Sequence, residues 1–191
     1  VDLKNVFTLR KVEDGINIKE KVLKSKHATI VGGGYIGIEL LEAFVKQGLN
    51  VTMVEFAPHI MPIFDKEISE LIKSHILERN GDNVKIINSD SVTEFVGEKE
   101  VLAVKTQNGL KIETDFVIIA TGVKPNIEIA VDAGIILGET GAIKVNKFMQ
   151  TNIEDIYAAG DCAEKTQIVS QTPTWIPLGS TANKEGRCAA I

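Results

Sequence analysis

The chain has 191 residues, 44% hydrophobic and 25% charged, with a formal net charge of −5. That is enough for one sizeable core or two small lobes, and an acidic chain with no Lys/Arg cluster speaks against a nucleic-acid surface. No apolar run reaches the roughly 18 residues of a membrane span, and Val1-Asp2-Leu3-Lys4 does not open a signal peptide, so a cytoplasmic protein without membrane or nucleic-acid partners is expected. Cys162 and Cys188 are the only thiols; neither has C-x-x-C or metal-ligand spacing, so no metal site is expected and both read as small apolar side chains.

Residues 1–26 have weak periodicity. A short strand over residues 5–9, a break at Asp14-Gly15 and a helix over 16–23 are expected. From His27 the pattern becomes regular. Residues 27–31 read as a buried parallel strand. Residues 35–47 read as a helix with Ile36, Leu40, Ala43 and Phe44 on its apolar face, stopped by Gly48. A second strand covers 50–55. The loop 56–62 is too apolar and Pro-rich for solvent alone. Asp65 is placed to cap a helix over 66–79, with Ile68, Leu71, Ile72, His75 and Ile76 inward. A third strand over 84–87 completes βαβαβ. Residues 91–96, 101–106 and 111–113 then read as antiparallel strands, with a hairpin turn at Asn108-Gly109. The apolar run 116–120 returns to the sheet and enters Thr121-Gly122. The fold expected is α/β: a Rossmann-like βαβαβ parallel sheet with an inserted antiparallel β-meander.

The chemistry concentrates at the first strand–helix junction. Gly32-Gly33-Gly34-Tyr35-Ile36-Gly37 follows a strand and opens a helix, and Glu55 ends the next strand. In that context Gly-x-G-x-x-Gly is a dinucleotide site with a mechanism: Gly32 allows the tight turn, Gly34 lets a pyrophosphate approach the backbone, and Gly37 lets helix and strand pack closely. Helix N–H groups hold the phosphates. Glu55 accepts from the ribose hydroxyls and repels a 2′-phosphate, and no arginine follows in 56–60, so NADH is favoured over NADPH. His59 and His75 pair with no nucleophile and read as loop and helix-face residues.

Four ordered stretches together resemble a family: 32–39, the meander, Ala-Thr-Gly-Val-Lys-Pro-Asn at 120–126, and Ile156-Tyr157-Ala158-Ala159-Gly160-Asp161-Cys162-Ala163. They are similar to the flavoprotein pyridine nucleotide–disulfide oxidoreductases, whose domains are glutathione-reductase-like. Tyr35 and Ile176-Pro177-Leu178-Gly179-Ser180-Thr181-Ala182 point to the coenzyme A disulfide reductase, NADH oxidase and NADH peroxidase branch. The resemblance implies NAD(H) at Gly32, Gly33, Gly34, Ile36, Gly37 and Glu55, and Tyr35 as the aromatic residue that covers the flavin until nicotinamide displaces it. It implies Glu39 near the nicotinamide end and Thr121 and Gly122 near the nucleotide. It also implies FAD in the parent protein, with Gly160 and Asp161 at its ribityl chain, Ala163 at its phosphates, and Thr181 and Ala182 at its pyrimidine ring.

Local alternatives stand beside these roles: Tyr35 as a first-turn residue packing on the meander, Glu39 as a solvated acid, Asp161 as a turn acid, and Trp175 as packing. The family's own FAD glycine fingerprint, redox cysteine and C-terminal dimerisation domain have no counterpart here. The expectation is therefore a piece of a longer, homodimeric enzyme, inactive alone: a residual FAD segment at 1–24, an NAD(H)-binding domain at 25–145 and a partial second FAD segment at 146–191. Its tail would self-associate or pack elsewhere. The alternative reading is a non-catalytic dinucleotide-binding module for redox sensing or docking.

Overall fold

The computed structural model describes residues 3–191; Val1 and Asp2, where the expected lead-in begins, lie outside the described residues. The chain divides into two compact units, one ending at Gly122 and the other running from Val123 to Ile191.

In the first unit the elements run β1 (Val6–Phe7), α1 (Val12–Val22), β2 (His27–Val31), α2 (Tyr35–Lys46), β3 (Asn50–Val54), α3 (Lys66–Asn80), β4 (Val84–Ile87), β5 (Val92–Val96), β6 (Ala103–Thr106), β7 (Lys111–Glu113) and β8 (Phe116–Ile119). The five-stranded sheet has the order β1-β8-β2-β3-β4 and is parallel throughout. Strands buried on both faces read as continuous apolar runs, and Ile30, Met53 and Phe116 are fully buried. Side chains alternate across the sheet. Ile30 and Ile118 therefore face a core with Ile18, Val22, Leu41 and Phe44 from the helices. Their neighbours Val31 and Val117 face Val101 and Val104 of the β5-β6-β7 meander. Phe116 anchors the helical side, meeting Phe44 edge-on at 5.3 Å and Phe7 at 6.3 Å.

Three expectations about helices change. α1 starts at Val12 because Asp14 accepts the N–H groups of Arg10 and Lys11 at 2.9 Å each, so Asp14-Gly15 caps the helix instead of breaking it. These two bonds hold the Asp14 carboxyl below its usual range. On α2 the buried face is Gly37, Leu41 and Phe44, and Ala43 is exposed. The close approach of Gly37 to the preceding turn sets that rotation. On α3 the inward residue is Ser69, while Ile68 and Leu71 are 45% and 66% exposed. The Ser69 hydroxyl donates to the Met61 carbonyl at 3.2 Å and turns the helix that way, and Ile72, Ile76 and Leu77 do the packing. Asp65 precedes α3, but its side chain makes no capping bond. Gly48 ends α2 as expected, at φ +85°, with Leu49 N–H bonding the Phe44 carbonyl and Gly48 N–H that of Val45.

The second unit holds α4 (Glu128–Asp132), β9 (Ile143–Lys144), β10 (Ala163–Thr166), β11 (Pro173–Thr174) and α5 (Gly179–Ala189), with a three-stranded sheet β11-β10-β9. Ala130, Ile143, Ala158 and Ala163 form its core. Residues on both sides of position 145 share this core, since Ala130 and Ile143 pack with Ala158 and Ala163.

Asp115 ties the start of β2 to the start of β8, accepting the N–H groups of Lys26 and His27 at 2.7 and 2.9 Å. Burial pushes its carboxyl up, but these backbone donors outweigh burial and hold it below the usual range. A depressed folded pKa contributes stability that is present above the unfolded value, about 3.9, and is lost as pH falls through the folded one. Asp115→Asn should therefore unfold at lower urea than the unaltered chain at pH 7, and the gap should close in acid once the Asp115 carboxyl of the unaltered chain is protonated in both the folded and the unfolded state. A gap that persists unchanged in acid would refute the role of the charge.

Candidate functional site

β2 and β8 are neighbours, yet the chain leaves β2 for β3 on one side and reaches β8 only after the meander. Strand order therefore reverses between β2 and β8, and the crevice beyond their carboxyl ends is where open α/β sheets bind ligands. The ladder runs to that edge: Gly32 N–H bonds Val54 C=O, Ala120 N–H bonds Val31 C=O and Glu55 N–H bonds Ile87 C=O, all at 2.8 Å.

The glycines are required there for different reasons. Gly32 has φ +107°, and a Cβ on it would overlap the Ala120 carbonyl and touch Thr121 N at 3.1 Å. A Cβ on Gly37 would overlap the Gly32 carbonyl and lie 3.4 Å from Ile30 Cγ2, so the helix sits directly on the turn. Around Gly34 nothing lies within 4 Å of where a Cβ would be. The first intrahelical bond of α2 runs from Ile38 N–H to Gly34 C=O at 3.0 Å, leaving the N–H groups of Tyr35, Ile36 and Gly37 ahead of it as first-turn donors. Open backbone beside free donors, with the positive end of the helix dipole behind them, fits a phosphate.

Gly33 is held from both sides. Its N–H donates to Glu55 Oε2 at 2.5 Å, and its carbonyl accepts Met61 N–H at 2.8 Å. Glu55 Oε1 accepts Ala57 N–H at 2.6 Å. The loop 56–62 folds back over the turn: Ile60 is fully buried, and its Cγ2 lies 2.9 Å from where a Cβ on Gly33 would be. Glu55, 9% exposed, thus shapes the turn before it meets any ligand. Two of the roughly four lone-pair positions of its carboxylate are used.

Tyr35 is 38% exposed, and its ring meets Phe64 edge-on at 6.3 Å, so its partner is the loop after β3 rather than the meander. Ile36 is half-buried; Glu39 is exposed and makes no ion pair among the described residues. Thr121 and Gly122 follow β8 beside Gly32, with Gly122 at φ +116°. His59 and His75 touch no nucleophile among the described residues.

The remaining expected residues come together in the second unit. Gly160 has φ +85°, and a Cβ on it would lie 3.3 Å from that of Ala182, near the start of α5, with Thr181 alongside. Asp161 is exposed, and its carbonyl accepts the Trp175 indole N–H at 2.7 Å, which gives that ring a positioning task beyond packing. Ala163 is fully buried in the core. Gly160 N–H donates to Glu185 Oε2 at 2.8 Å, and Lys165 Nζ meets Glu185 Oε1 at 2.5 Å; the ion pair is almost entirely buried. Neither Lys165 nor Glu185 lies in a motif or spacing that stands out in the sequence. An exposed carboxylate on a pinned turn can accept hydrogen bonds from the hydroxyls of a ligand.

Over residues 2–186 the chain matches the family described as pyridine nucleotide-disulphide oxidoreductase. The chain belongs to that family. It is 42% identical over 192 residues to the NAD(P)H sulfur oxidoreductase (CoA-dependent) of Pyrococcus abyssi, covering 99% of this chain and 42% of that protein. An NAD-dependent persulfide reductase from A. fulgidus superposes with a TM-score of 0.91 at 35% identity, over 98% of this chain and 35% of that one. The water-forming NADH oxidase from Lactobacillus brevis, bound to NADH, superposes at 0.87 with 27% identity, over 98% and 41%. The chain thus spans about 42% of the length of the Pyrococcus relative. No helix among the described residues is long and apolar enough to cross a membrane.

Removing one partner of a buried ion pair strands the other charge, typically at a cost of about 3–5 kcal/mol. Lys165→Met should lower unfolding stability by that order, while adding Glu185→Leu, which removes the stranded charge but also the acceptor of the Gly160 N–H, should recover only part of the loss in urea titrations. A loss under about 0.5 kcal/mol for Lys165→Met would show the pair to be solvated.

Proposed function

We propose that this chain supplies the NAD(H) site, and part of the FAD site, of a flavoenzyme. When bound, FAD would accept hydride from NADH and pass two electrons to a persulfide, a disulfide such as that of coenzyme A, a peroxide or oxygen. The observation that carries the reading is the preformed turn: Gly33 locked by Glu55 and Met61, with open backbone at Gly34 and free first-turn donors beside it.

In this reading the N–H groups of Tyr35 and Ile36 hold the pyrophosphate, and the unused lone pairs of Glu55 accept from the adenosine ribose. Glu39 and Thr121-Gly122 flank the other half of the dinucleotide. In the second unit, Asp161 would hold the ribityl hydroxyls of FAD, with Gly160, Ala163, Thr181 and Ala182 shaping the wall beside it. A pinned Gly160-Asp161 turn has little use in a module that never meets flavin, so the flavoenzyme reading is preferred.

NADH is the proposed coenzyme because a 2′-phosphate would meet the Glu55 carboxylate. An engineered NADPH oxidase derived from the Lactobacillus brevis enzyme supports this. It replaces a glycine by Ala, three consecutive residues headed by Asp with Ala, Arg and Ser, and a following proline by Arg. The same order and spacing falls here on Gly37, Glu55-Phe56-Ala57 and Pro62.

Isothermal titration tests the assignment. The chain should bind NADH and bind NADPH at least about tenfold more weakly, the order expected from one lost charged hydrogen bond. Phe56→Arg with Pro62→Arg, both at exposed positions, should shift the ratio toward NADPH by at least about tenfold. Equal affinity for the two nucleotides, unchanged by these substitutions, would sink the assignment.

A further inference from the structure

The only buried residue of α3 is polar. Ser69 is shut off from solvent, while its neighbours Ile68 and Leu71 are exposed. An alanine would fill that position without the cost of burying a hydroxyl, so packing does not account for the serine. A serine within a helix commonly bonds the carbonyl four residues back, which here is that of Asp65. That carbonyl takes the Ser69 N–H instead, and the hydroxyl reaches out of the helix to the Met61 carbonyl at 3.2 Å. Met61 sits at φ +50°, a conformation that a non-glycine residue keeps only when its surroundings impose it. They do so from three sides. Its carbonyl accepts the Phe64 N–H at 3.0 Å as well as the Ser69 hydroxyl, its side chain is buried, and its N–H donates to the Gly33 carbonyl at 2.8 Å. Ser69 thus reaches the glycine turn through a single residue.

The peptide plane carries the constraint one step further. In a planar trans peptide the C=O and the following N–H point in opposite directions. With the Gly33 carbonyl held on Met61, the Gly34 N–H of the same plane points away from the loop. It donates to no group among the described residues, and a Cβ on Gly34 would have nothing within 4 Å. Resting on the reading of this turn as the NAD(H) site, we propose that Ser69 is a positioning residue for the pyrophosphate. Through Met61 it fixes the Gly33–Gly34 peptide, so that the Gly34 N–H joins the first-turn donors of α2 before an anion arrives. A donor that is already aimed improves affinity by removing the ordering cost at binding.

NADH and ADP-ribose both carry a pyrophosphate, whereas adenosine carries only the ribose and base assigned to Glu55. Calorimetric titration of the full chain with the first two, and NMR titration with adenosine, therefore separate the turn from the rest of the site. Ser69→Ala should weaken NADH and ADP-ribose by the same factor, about two- to tenfold for one neutral hydrogen bond, and leave adenosine within about twofold. Ser69→Cys, which keeps the shape and a weaker donor, should fall between, and it carries the same comparison if Ser69→Ala fails to fold. The Gly34 amide proton supplies a direct signature: ADP-ribose should move it downfield in the unaltered chain and by less in Ser69→Ala. Equal weakening of adenosine would mark Ser69 as general loop support and overturn the proposal, as would a loss confined to NADH or no loss at all. If the unaltered chain bound neither NADH nor ADP-ribose, the site reading itself would fall, and the proposal with it.

Discussion

The Glu55 carboxylate between the N–H groups of Gly33 and Ala57 is the interaction on which the rest of the first unit's site depends. Hydrogen bonds to a charged acceptor are worth about 2 kcal/mol each. Here they join the ends of two neighbouring strands, fixing the glycine turn after β2 and the chain's exit from β3 at once. With Gly33 N–H committed to Glu55, the donors left for an anion are those further along, at the start of α2. The acid that a dinucleotide fingerprint assigns to ribose is, in the free protein, first the clasp that shapes the turn.

The sheet makes that clasp possible. Parallel pairing places Val31 beside Val54 and Ile119, so Gly32, Glu55 and Ala120 emerge together at one edge. Gly32 and Gly37 are consequences of that crowding. Each lies where a side chain would strike a backbone carbonyl, at Ala120 and at Gly32 itself. The second unit uses a comparable device with different chemistry. Its turn at Gly160 is held by Glu185, whose charge is balanced by Lys165.

Much of this was legible in the sequence because it rests on local periodicity and backbone chemistry. The apolar runs of β2 and β3, the glycine spacing, the Asn108-Gly109 hairpin and the return strand at Phe116 each follow from short-range rules. The helix faces were less legible. Nothing in the spacing of α3 says that Ser69 turns inward; that follows from the Met61 carbonyl waiting for its hydroxyl. Nor does the spacing of α2 say that Gly37 must sit against the turn. Of the turn, Gly32, Gly34, Gly37 and Glu55 were legible. Met61, Phe64, Lys165 and Glu185 were not, because their roles come from contacts that chain folding alone brings about. The one hint was the apolar, Pro-rich character of residues 56–62, too greasy for a solvent loop.

Amide hydrogen exchange, followed residue by residue by NMR, tests most directly whether the turn is preformed. Without nucleotide, the Gly33 and Met61 amides should be protected, while those of Tyr35 and Ile36 exchange freely. Adding NADH should protect Tyr35 and Ile36 and leave Gly33 and Met61 as they were. Rapid exchange at Gly33 in the free chain, with protection arising only when NADH binds, would contradict the account.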